Sequence, residues 1–333
     1  MNPGERPLRR ALTFLDTPLA DPQVTEVVIN RPGEFGVERD GQWTWHDAPE
    51  LTLDRCDTIG ILAASASGKD FDPEHPLCEG ALPDGQRIQS CRHAATQQGI
   101  IALTIRKPSK VTRRVDDPDF ERMFAHTNAG PSRGQQADAE LIALKAARKW
   151  SEFFKLAARV GKTIGACGPT GSGKTDLVRR LMQEIPEHER IVTAQNVVET
   201  GDLRQRNHVH LIYTFGAEKG GGISVEDCAR AMLRMRPDRP MIGELRDGAE
   251  AFNFLRLLAA GHKGGMTTWH AEEGEAFDAL ELMVKQHPAG AQIPDDKIRR
   301  HVRRYMDLII WTAKGDDGFS APHVWFKAEE AAP

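Results

Sequence analysis

The sequence of 333 residues lacks the patterns that mark membrane-spanning, disulfide-stapled and zinc-binding proteins. No stretch approaches the roughly 18 consecutive apolar residues that a transmembrane helix needs, and the opening MNPGERPLRR has no apolar core of signal-peptide length. The five cysteines are scattered, and no two of them form a C-x-x-C pair. This pattern predicts reduced thiols in a cytosolic protein, with Cys167 as a small buried residue of a strand.

The net charge is small, and aromatic residues are few. The net charge is −4, so no global basic field favours nucleic acid as a direct ligand. Aromatic residues make up 6% of the chain, and they do not interleave with basic residues as in nucleic-acid stacking platforms. The remaining composition is that of an ordinary globular protein, in a chain long enough for two domains with a core each.

Residues 1–107 are predicted to form a mixed α/β domain, because short strand-like segments there surround one apolar helix. The predicted elements are strands at Val24–Asn30, Phe35–Arg39, Gln42–His46 and Gly99–Arg106, a helix at Arg55–Ser67 and a hairpin turn at Pro83-Asp84-Gly85. Residues 108–136 are polar and rich in proline and glycine, which predicts an extended linker with one helical turn at Phe120–Phe124.

Residues 137–333 alternate between strand and helix patterns, which predicts an α/β domain with a mainly parallel sheet and helices on both faces. The predicted strands are Thr163–Cys167, Arg190–Ala194, Val209–Tyr213, Pro240–Leu245, Gly265–Trp269 and Leu308–Thr312. The predicted helices are Ala137–Val160, Asp176–Ile185, Val225–Met235, Ala249–Ala260 and Glu275–Lys285. Such a sheet binds its ligands at the edge where the strands end.

The run GPTGSGKT fits the phosphate-binding pattern G-x-x-x-x-G-K-[ST], with a strand pattern before it and a helix pattern after it. The residues predicted to bind nucleotide phosphates are Gly168, Pro169, Thr170, Gly171, Ser172, Gly173, Lys174, Thr175 and Asp176. Glycines let backbone N–H groups point at phosphate oxygens, and the helix N-terminus adds partial positive charge. Lys174 is predicted to bridge the β- and γ-phosphates, and the Thr175 hydroxyl to ligate Mg²⁺. The flanking strand and helix disfavour the alternative, a glycine-rich surface turn.

Two further residues are predicted at the same edge of the sheet. Glu244 follows the apolar run Pro240-Met241-Ile242-Gly243, where a carboxylate can hold the Mg²⁺ shell or orient the attacking water. His270 ends another predicted strand, where a neutral imidazole can hydrogen-bond a γ-phosphate oxygen or a water. A solvated glutamate and a structural histidine are the alternatives.

These motifs together resemble the secretion ATPase superfamily, and most closely the Vir-type hexameric traffic ATPases of type IV secretion. The resemblance rests on GPTGSGKT, RMRPDRPMIGELRDGAEA and GGMTTWHA, and on EVVINRPGEFGVER, LPDGQRIQ and ALTIRKPSK nearer the N-terminus. It implies a RecA-like C-terminal ATPase domain, a smaller N-terminal α/β domain, and ATP with Mg²⁺ held between them. It also implies a homohexameric ring in the cytoplasm, peripheral to the inner membrane, with inner-membrane secretion components as partners.

The resemblance also implies roles for individual residues. Lys174 and Thr175 match the family's phosphate loop. Glu244 matches its Walker B-like segment, and His270 matches its histidine box. Arg106 and Arg87 match N-terminal-domain arginines that reach the phosphates, a task suited to the always-charged guanidinium group. Ordinary surface arginines are the alternative for both.

The sequence departs from the family pattern where an acidic box usually follows the second strand of the ATPase domain. Gln195 and Asn196 stand where carboxylates are usual, and an amide is neither a general base nor a good Mg²⁺ ligand. Glu199 is the nearest carboxylate that could substitute, unless Glu244 alone is enough. Asp176 stands where a further threonine is usual, and its carboxylate is predicted to point away from the phosphates.

Three alternatives to a type IV secretion ATPase stay open. An ATPase of a type II secretion or type IV pilus system often carries a four-cysteine metal site, which this sequence lacks. A nucleotide-gated scaffold that binds ATP but hydrolyses it weakly is favoured by the two amides, and a nucleic-acid motor is disfavoured by the acidic net charge. The basic cluster Arg299–Arg304 is predicted to form a solvated face or ion pairs between subunits, or else to contact anionic lipid.

Overall fold

The computed structural model describes residues 5–108, 114–125, 127, 133–217 and 221–330. Its helices are α1 Glu5–Ala11, α2 Asp16–Ala20, α3 Leu53–Ala66, α4 Pro118–Met123, α5 Arg133–Ala146, α6 Trp150–Arg159, α7 Lys174–Met182, α8 Val225–Met232, α9 Gly248–Ala259, α10 Ala276–Gln286, α11 Pro288–Ala291, α12 Asp295–Tyr305 and α13 Lys327–Glu330. Its strands are β1 Val24–Ile29, β2 Glu34–Arg39, β3 Gln42–Asp47, β4 Leu77–Ala81, β5 Arg87–Cys91, β6 Ala102–Arg106, β7 Ile164–Cys167, β8 Ile191–Gln195, β9 His208–Ile212, β10 Arg239–Ile242, β11 Glu244–Leu245, β12 Met266–Trp269, β13 Leu308–Gly315 and β14 Gly318–Phe326. The predicted mixed α/β fold is confirmed.

Strands β1 to β6 form one antiparallel sheet in the order β3-β2-β1-β6-β5-β4. Its core contains Leu8 of α1, Ile59 of α3 and Leu103 of β6, all fully buried. Helix α3 begins after Thr52, whose side chain accepts a hydrogen bond from the backbone N–H of Arg55. The strands and the helix predicted for this part of the chain are confirmed.

Parallel strands build the second part of the fold, where β10, β8 and β9 form one sheet and β11, β12, β7 and β13 form another. Strand β14 extends the latter by antiparallel pairing. The segment Arg239–Leu245 contributes β10 to one sheet and β11 to the other. Between them, the Gly243 N–H donates to the carbonyl of Ala194 (3.0 Å) and the Gly243 carbonyl accepts from Thr268 Oγ1 (3.1 Å). The single sheet predicted for this part is therefore two sheets that meet at Gly243, and their parallel strands end at one edge.

Continuous burial is the common feature of these parallel strands. Every residue of β7, β8, β10 and β12 is buried, as expected of parallel strands covered on both faces. The surrounding core includes Phe153 of α6, Phe254 of α9 and Trp269 of β12, which are fully buried.

The single long helix predicted at Ala137–Val160 is wrong. The chain forms α5 and α6 instead, separated at residues 147–149. Arg148 there adopts a φ of 56°, a left-handed conformation that interrupts a right-handed helix. No glycine or proline marks the break, so helix periodicity alone could not locate it.

The predicted linker, residues 108–136, is only partly described, because residues 109–113, 126 and 128–132 lie outside the described residues. The helical turn predicted at Phe120–Phe124 is present as α4, with slightly earlier bounds.

Helix α12, which the sequence patterns did not predict, carries the basic cluster Arg299–Arg304. Three of its arginines form ion pairs, which are Arg299–Glu281, Arg300–Asp296 and Arg303–Glu330. All three pairs form within one chain, so the predicted ion pairs between subunits stay a prediction. Across the described ranges, no helix combines the length and apolar character required to cross a bilayer.

Candidate active site

The predicted phosphate loop lies between the end of β7 and the start of α7, at the carboxyl edge of the sheet. Its glycines adopt φ values of 145° at Gly168, 74° at Gly171 and 84° at Gly173, a region that favours glycine. At Gly168 a side chain is also excluded by space, because a Cβ atom would lie 2.2 Å from the carbonyl oxygen of Thr312. The backbone therefore curls into the N-terminus of α7, the arrangement that binds anions.

Two hydroxyl groups hold the loop in this shape. Ser172 Oγ lies 2.8 Å from the carbonyl oxygen of Pro169 and 2.7 Å from Thr312 Oγ1 on β13. Thr312 Oγ1 lies 3.2 Å from the carbonyl oxygen of Cys167. Both hydroxyl-bearing residues are buried, so the contacts are shielded from water. The sequence predictions missed Thr312, because it lies 140 residues from its partner Ser172.

Lys174 is the cation carried by the phosphate loop, and it is almost fully buried. Its Nζ donates to the carbonyl oxygens of Gly168 (3.0 Å) and Pro169 (2.8 Å), so the side chain folds back over the loop. Burial lowers the pKa of Lys174, and the nearby Glu244 opposes that shift. Neutral carbonyl groups are weaker partners for an ammonium group than phosphate oxygens are.

His270 and Glu244 continue from Lys174 as a chain of contacts. His270 Nδ1 lies 3.3 Å from Lys174 Nζ, and His270 Nε2 lies 3.1 Å from Glu244 Oε1. The other carboxylate oxygen of Glu244 accepts from Arg246 Nε, and this bond raises the pKa of Arg246. The structure thus brings Lys174, Glu244 and His270 together, and it adds Arg246, which the sequence predictions did not include.

One open cleft of about 880 Å³ collects these side chains. The predicted site residues that line it are Thr170, Gly171, Ser172, Gly173, Lys174, Thr175, Asp176, Glu199, Glu244 and His270. Glu199 lines the cleft from the loop after β8. Asp176 borders it, but its exposed carboxylate pairs with Arg180 Nε on the same helix (2.8 Å).

The amides of Gln195 and Asn196 hydrogen-bond within the fold, and both residues line a small cavity that adjoins the cleft and shares Thr175, Glu199 and Glu244 with it. Asn196 Nδ2 donates to the carbonyl oxygen of Tyr213 (3.3 Å). Gln195 is 3% exposed and bonds to the hydroxyls of Thr193 and Thr200. The two residues therefore serve the end of β8 and the loop that follows it.

Arg87 and Arg106 lie elsewhere. They are paired across β5 and β6 and line a second cavity of about 250 Å³ together with Lys69 and Arg234. Arg106 Nε lies 3.7 Å from Oε1 of the buried Glu26. No residue is shared between the described linings of this cavity and of the cleft. Within one chain, the structure therefore does not bring these arginines to the phosphate loop.

Residues 136–288, which include the loop, Glu244 and His270, match the family model described as Type II/IV secretion system protein. The matched segment thus carries most of the residues that line the cleft, although Phe319 on β14 lies beyond it.

Individual relatives narrow the class. The type IV secretion system protein VirB11 of Brucella suis biovar 1 is 36% identical over 92% of this chain and 87% of its own length. PtlH of Bordetella pertussis is 36% identical over 88% of this chain and 86% of its own length. The crystal structure of the VirB11 ATPase from Brucella suis, in complex with sulphate, aligns with a TM-score of 0.89 at 34% identity, covering 98% of this chain and 96% of that one. The chain belongs to the VirB11 family of type IV secretion system proteins.

Proposed function

We propose that this protein hydrolyses ATP with Mg²⁺ and powers type IV secretion as a ring-shaped traffic ATPase. The observation that carries the proposal is the cleft in which the curled glycine loop, Lys174, Glu244 and His270 meet. Relatives named as type IV secretion proteins support it, as does the likeness to a VirB11 ATPase. These names favour type IV secretion over a type II secretion or pilus machine.

In the proposed mechanism, backbone N–H groups of the loop and the N-terminus of α7 bind the phosphates of ATP. Lys174 leaves the carbonyls of Gly168 and Pro169 and bridges phosphate oxygens, which are charged acceptors. His270 lies between Lys174 and Glu244, so it can hydrogen-bond a γ-phosphate oxygen while it still contacts the carboxylate.

The residues present fit a magnesium ion. The Thr175 hydroxyl and the Glu244 carboxylate border one cleft, and Mg²⁺ prefers oxygen ligands. When bound, the ion supplies positive charge that stabilises the phosphoryl group during transfer. Glu244 aligns the attacking water with the γ-phosphate, and Glu199 provides a second carboxylate from the loop after β8.

The proposal includes the domain layout and the assembly. Residues 1–107 form the N-terminal α/β domain, 108–136 the linker and 137–333 a RecA-like ATPase domain, in a homohexamer at the cytoplasmic side of the inner membrane. Inner-membrane components of the secretion system are the proposed partners. Because Arg87 and Arg106 border a separate cavity, their proposed contact with phosphate requires a neighbouring copy or a rearranged N-terminal domain.

The main test is the variant Lys174→Ala. Purified Lys174→Ala is expected to lose ATP hydrolysis by at least about 100-fold, because the loop then lacks its cation. Its thermal midpoint should stay near that of the wild type. Lys155→Ala, on the exposed face of α6, is the matched control and should hydrolyse ATP normally. Turnover that survives in Lys174→Ala would remove the site assignment.

A nucleotide-gated scaffold is the second candidate, since Gln195 and Asn196 stand where the family usually has carboxylates. Phosphate release measured beside ATP affinity separates the two functions. Tight binding without turnover would favour the scaffold, and turnover that depends on Lys174 would favour the ATPase.

A further inference from the structure

We propose that Gln195 is a positioning residue for ATP hydrolysis: its side-chain amide holds the loop that carries Glu199 at the edge of the cleft. The inference rests on the proposed function. Gln195 stands where the family usually has a carboxylate. The inference assigns a role to the amide at this position.

Three hydrogen bonds tie the amide to the strand and to the loop. Gln195 Oε1 accepts from the backbone N–H of Glu199 (3.2 Å). Gln195 Nε2 donates to the hydroxyls of Thr200 (3.0 Å) and Thr193 (2.8 Å). Thr193 belongs to β8, whereas Glu199 and Thr200 belong to the loop that follows. Gln195, Thr193 and Thr200 are buried, where an unmade hydrogen bond is costly, so one side chain fastens the loop to the strand.

The fold leaves room for this amide at Gly243. A Cβ atom at Gly243 would lie 2.8 Å from Gln195 Cγ, so a larger residue would displace the glutamine side chain. Gly243 directly precedes Glu244, and its N–H donates to the carbonyl of Ala194 (3.0 Å). Gln195 is therefore packed between the two segments that carry the carboxylates of the cleft.

The direction of the hydrogen bonds suits an amide better than a carboxylate. Because Gln195 Nε2 donates to Thr193, the Thr193 hydroxyl can donate in turn to His210 Nδ1, 2.8 Å away. Burial lowers the pKa of His210 to about 4, so its ring is neutral and can accept at Nδ1. A carboxylate at position 195 has no proton to give, and it would force the whole chain of bonds to reverse.

A double-mutant cycle tests whether Gln195 acts through Glu199. Gln195→Met keeps the side-chain length and the packing against Gly243 but removes all three hydrogen bonds. It is expected to lower kcat about tenfold, with the KM for ATP changed by less than about twofold, because the loop loses its position. In a Glu199→Gln background the same change is expected to lower kcat less than about twofold, since the carboxylate it positions is already gone.

Gln205→Met is the matched control. Gln205 is also fully buried, and its Nε2 donates to the carbonyls of Met182 (3.2 Å) and Ile185 (2.6 Å). It should lower the thermal midpoint as Gln195→Met does, yet change kcat by the same factor with and without Glu199→Gln. If Gln195→Met does not fold, Thr200→Val replaces it in the cycle, with an expected loss of about threefold for one missing bond.

Gln195→Glu tests whether hydrolysis needs the amide at position 195 or whether the amide only replaces a carboxylate that would work better. The proposal expects kcat at or below that of Gln195→Met, and a rise above the wild type would overturn it. Equal losses in both backgrounds of the cycle would also overturn it, as would a Glu199→Gln variant with wild-type kcat. Failure of the proposed function itself is visible separately, because the wild-type protein would then bind ATP without turning it over, or its turnover would survive Lys174→Ala.

Discussion

Two clusters of charged side chains in this molecule differ in their exposure to solvent. In the cleft, the side chains of Glu244 and His270 remain 26% and 48% exposed. At the start of β8, Arg190 is fully buried. Its guanidinium donates to Asn30 (2.8 Å), next to the end of β1, and to Thr104 (3.1 Å) on β6. One cluster is open to a ligand, and the other joins the antiparallel sheet to the parallel one.

The difference shows which charges a ligand can use. Glu244 and His270 can exchange a protein partner for a ligand oxygen, because solvent still reaches them. Arg190 cannot, since any group it released would be left unpaired in the interior. A shifted pKa does not separate the two cases: burial lowers the pKa of Arg190 to about 10 at a site with no access for a ligand.

The largest expected effect comes from removing the buried charge. Arg190→Met should lower the free energy of unfolding by about 3–5 kcal/mol, because it leaves several interior polar groups unpaired. Urea denaturation measures this. Arg204→Met removes an exposed arginine paired with Glu187 (2.6 Å), and it should cost less than about 1 kcal/mol. Similar losses of unfolding free energy for both variants would show that the buried arginine stabilises the fold no more than an exposed one does.

The buried carboxylate beside this cluster predicts a pH dependence. Burial raises the pKa of Glu26 from 4.5 to about 7, although Arg106, Arg236 and Arg190 oppose the shift and Glu38 adds to it. The folded state then holds a proton that the unfolded state has released, so stability present below pH 4.5 is lost as pH rises through about 7.

Glu26→Gln should remove that loss. Relative to the wild type, the variant is expected to gain on the order of 3 kcal/mol of unfolding free energy between pH 4.5 and 8, at about 1.36 kcal/mol per pKa unit. Urea denaturation of both proteins across this range is the measurement. A difference that stays constant with pH would show that Glu26 is ionised in the folded protein throughout.

In the cleft, the effect should fall on rate rather than stability. Glu244→Gln is expected to lower kcat about 100-fold, or about 2.7 kcal/mol, because an amide aligns the water and holds Mg²⁺ poorly. Its unfolding free energy should change by less than about 1 kcal/mol. Glu187→Gln, an exposed glutamate paired with Arg204, is the control for phosphate-release assays. If the free energy of unfolding fell by more than the roughly 2.7 kcal/mol expected for the activation barrier, Glu244 would belong with the structural charges.

The smallest effect is expected at the start of α7. Asp176 pairs with Arg180 one turn away, and both side chains are exposed. Asp176→Asn should therefore cost less than about 0.5 kcal/mol of stability and leave ATP turnover unchanged. A KM for ATP lowered severalfold would reveal that the carboxylate repels the phosphates.

Sequence patterns located the cleft because its parts are either local or bound to strand ends. GPTGSGKT carries its own backbone preference through its glycines, as the φ values of Gly168 and Gly173 show. Glu244 and His270 meet because parallel strands end at one edge of a sheet. These features follow from residue type and spacing, and tertiary packing changes them little.

Features that depend on distant partners were not predictable in the same way. Arg190 was recognised only as the beginning of a strand, although its hydrogen-bond partner Asn30 lies 160 residues away. The break at Arg148 has no glycine or proline beside it, so nothing in the local sequence marks it. The placement of Arg87 and Arg106 depends on how the sheets are arranged in space, which motif resemblance alone does not define.

The five free cysteines are all buried, and burial raises the pKa of Cys91 and of Cys167 to about 12. Only a thiolate attacks alkylating reagents or disulfides at a useful rate. A disulfide-linked dimer in an aged, aerated sample therefore comes from molecules that have partly unfolded and exposed a thiol. Such a dimer gives no information about the native assembly. The rate at which iodoacetamide alkylates the cysteines of the intact protein would measure how often its cores open locally.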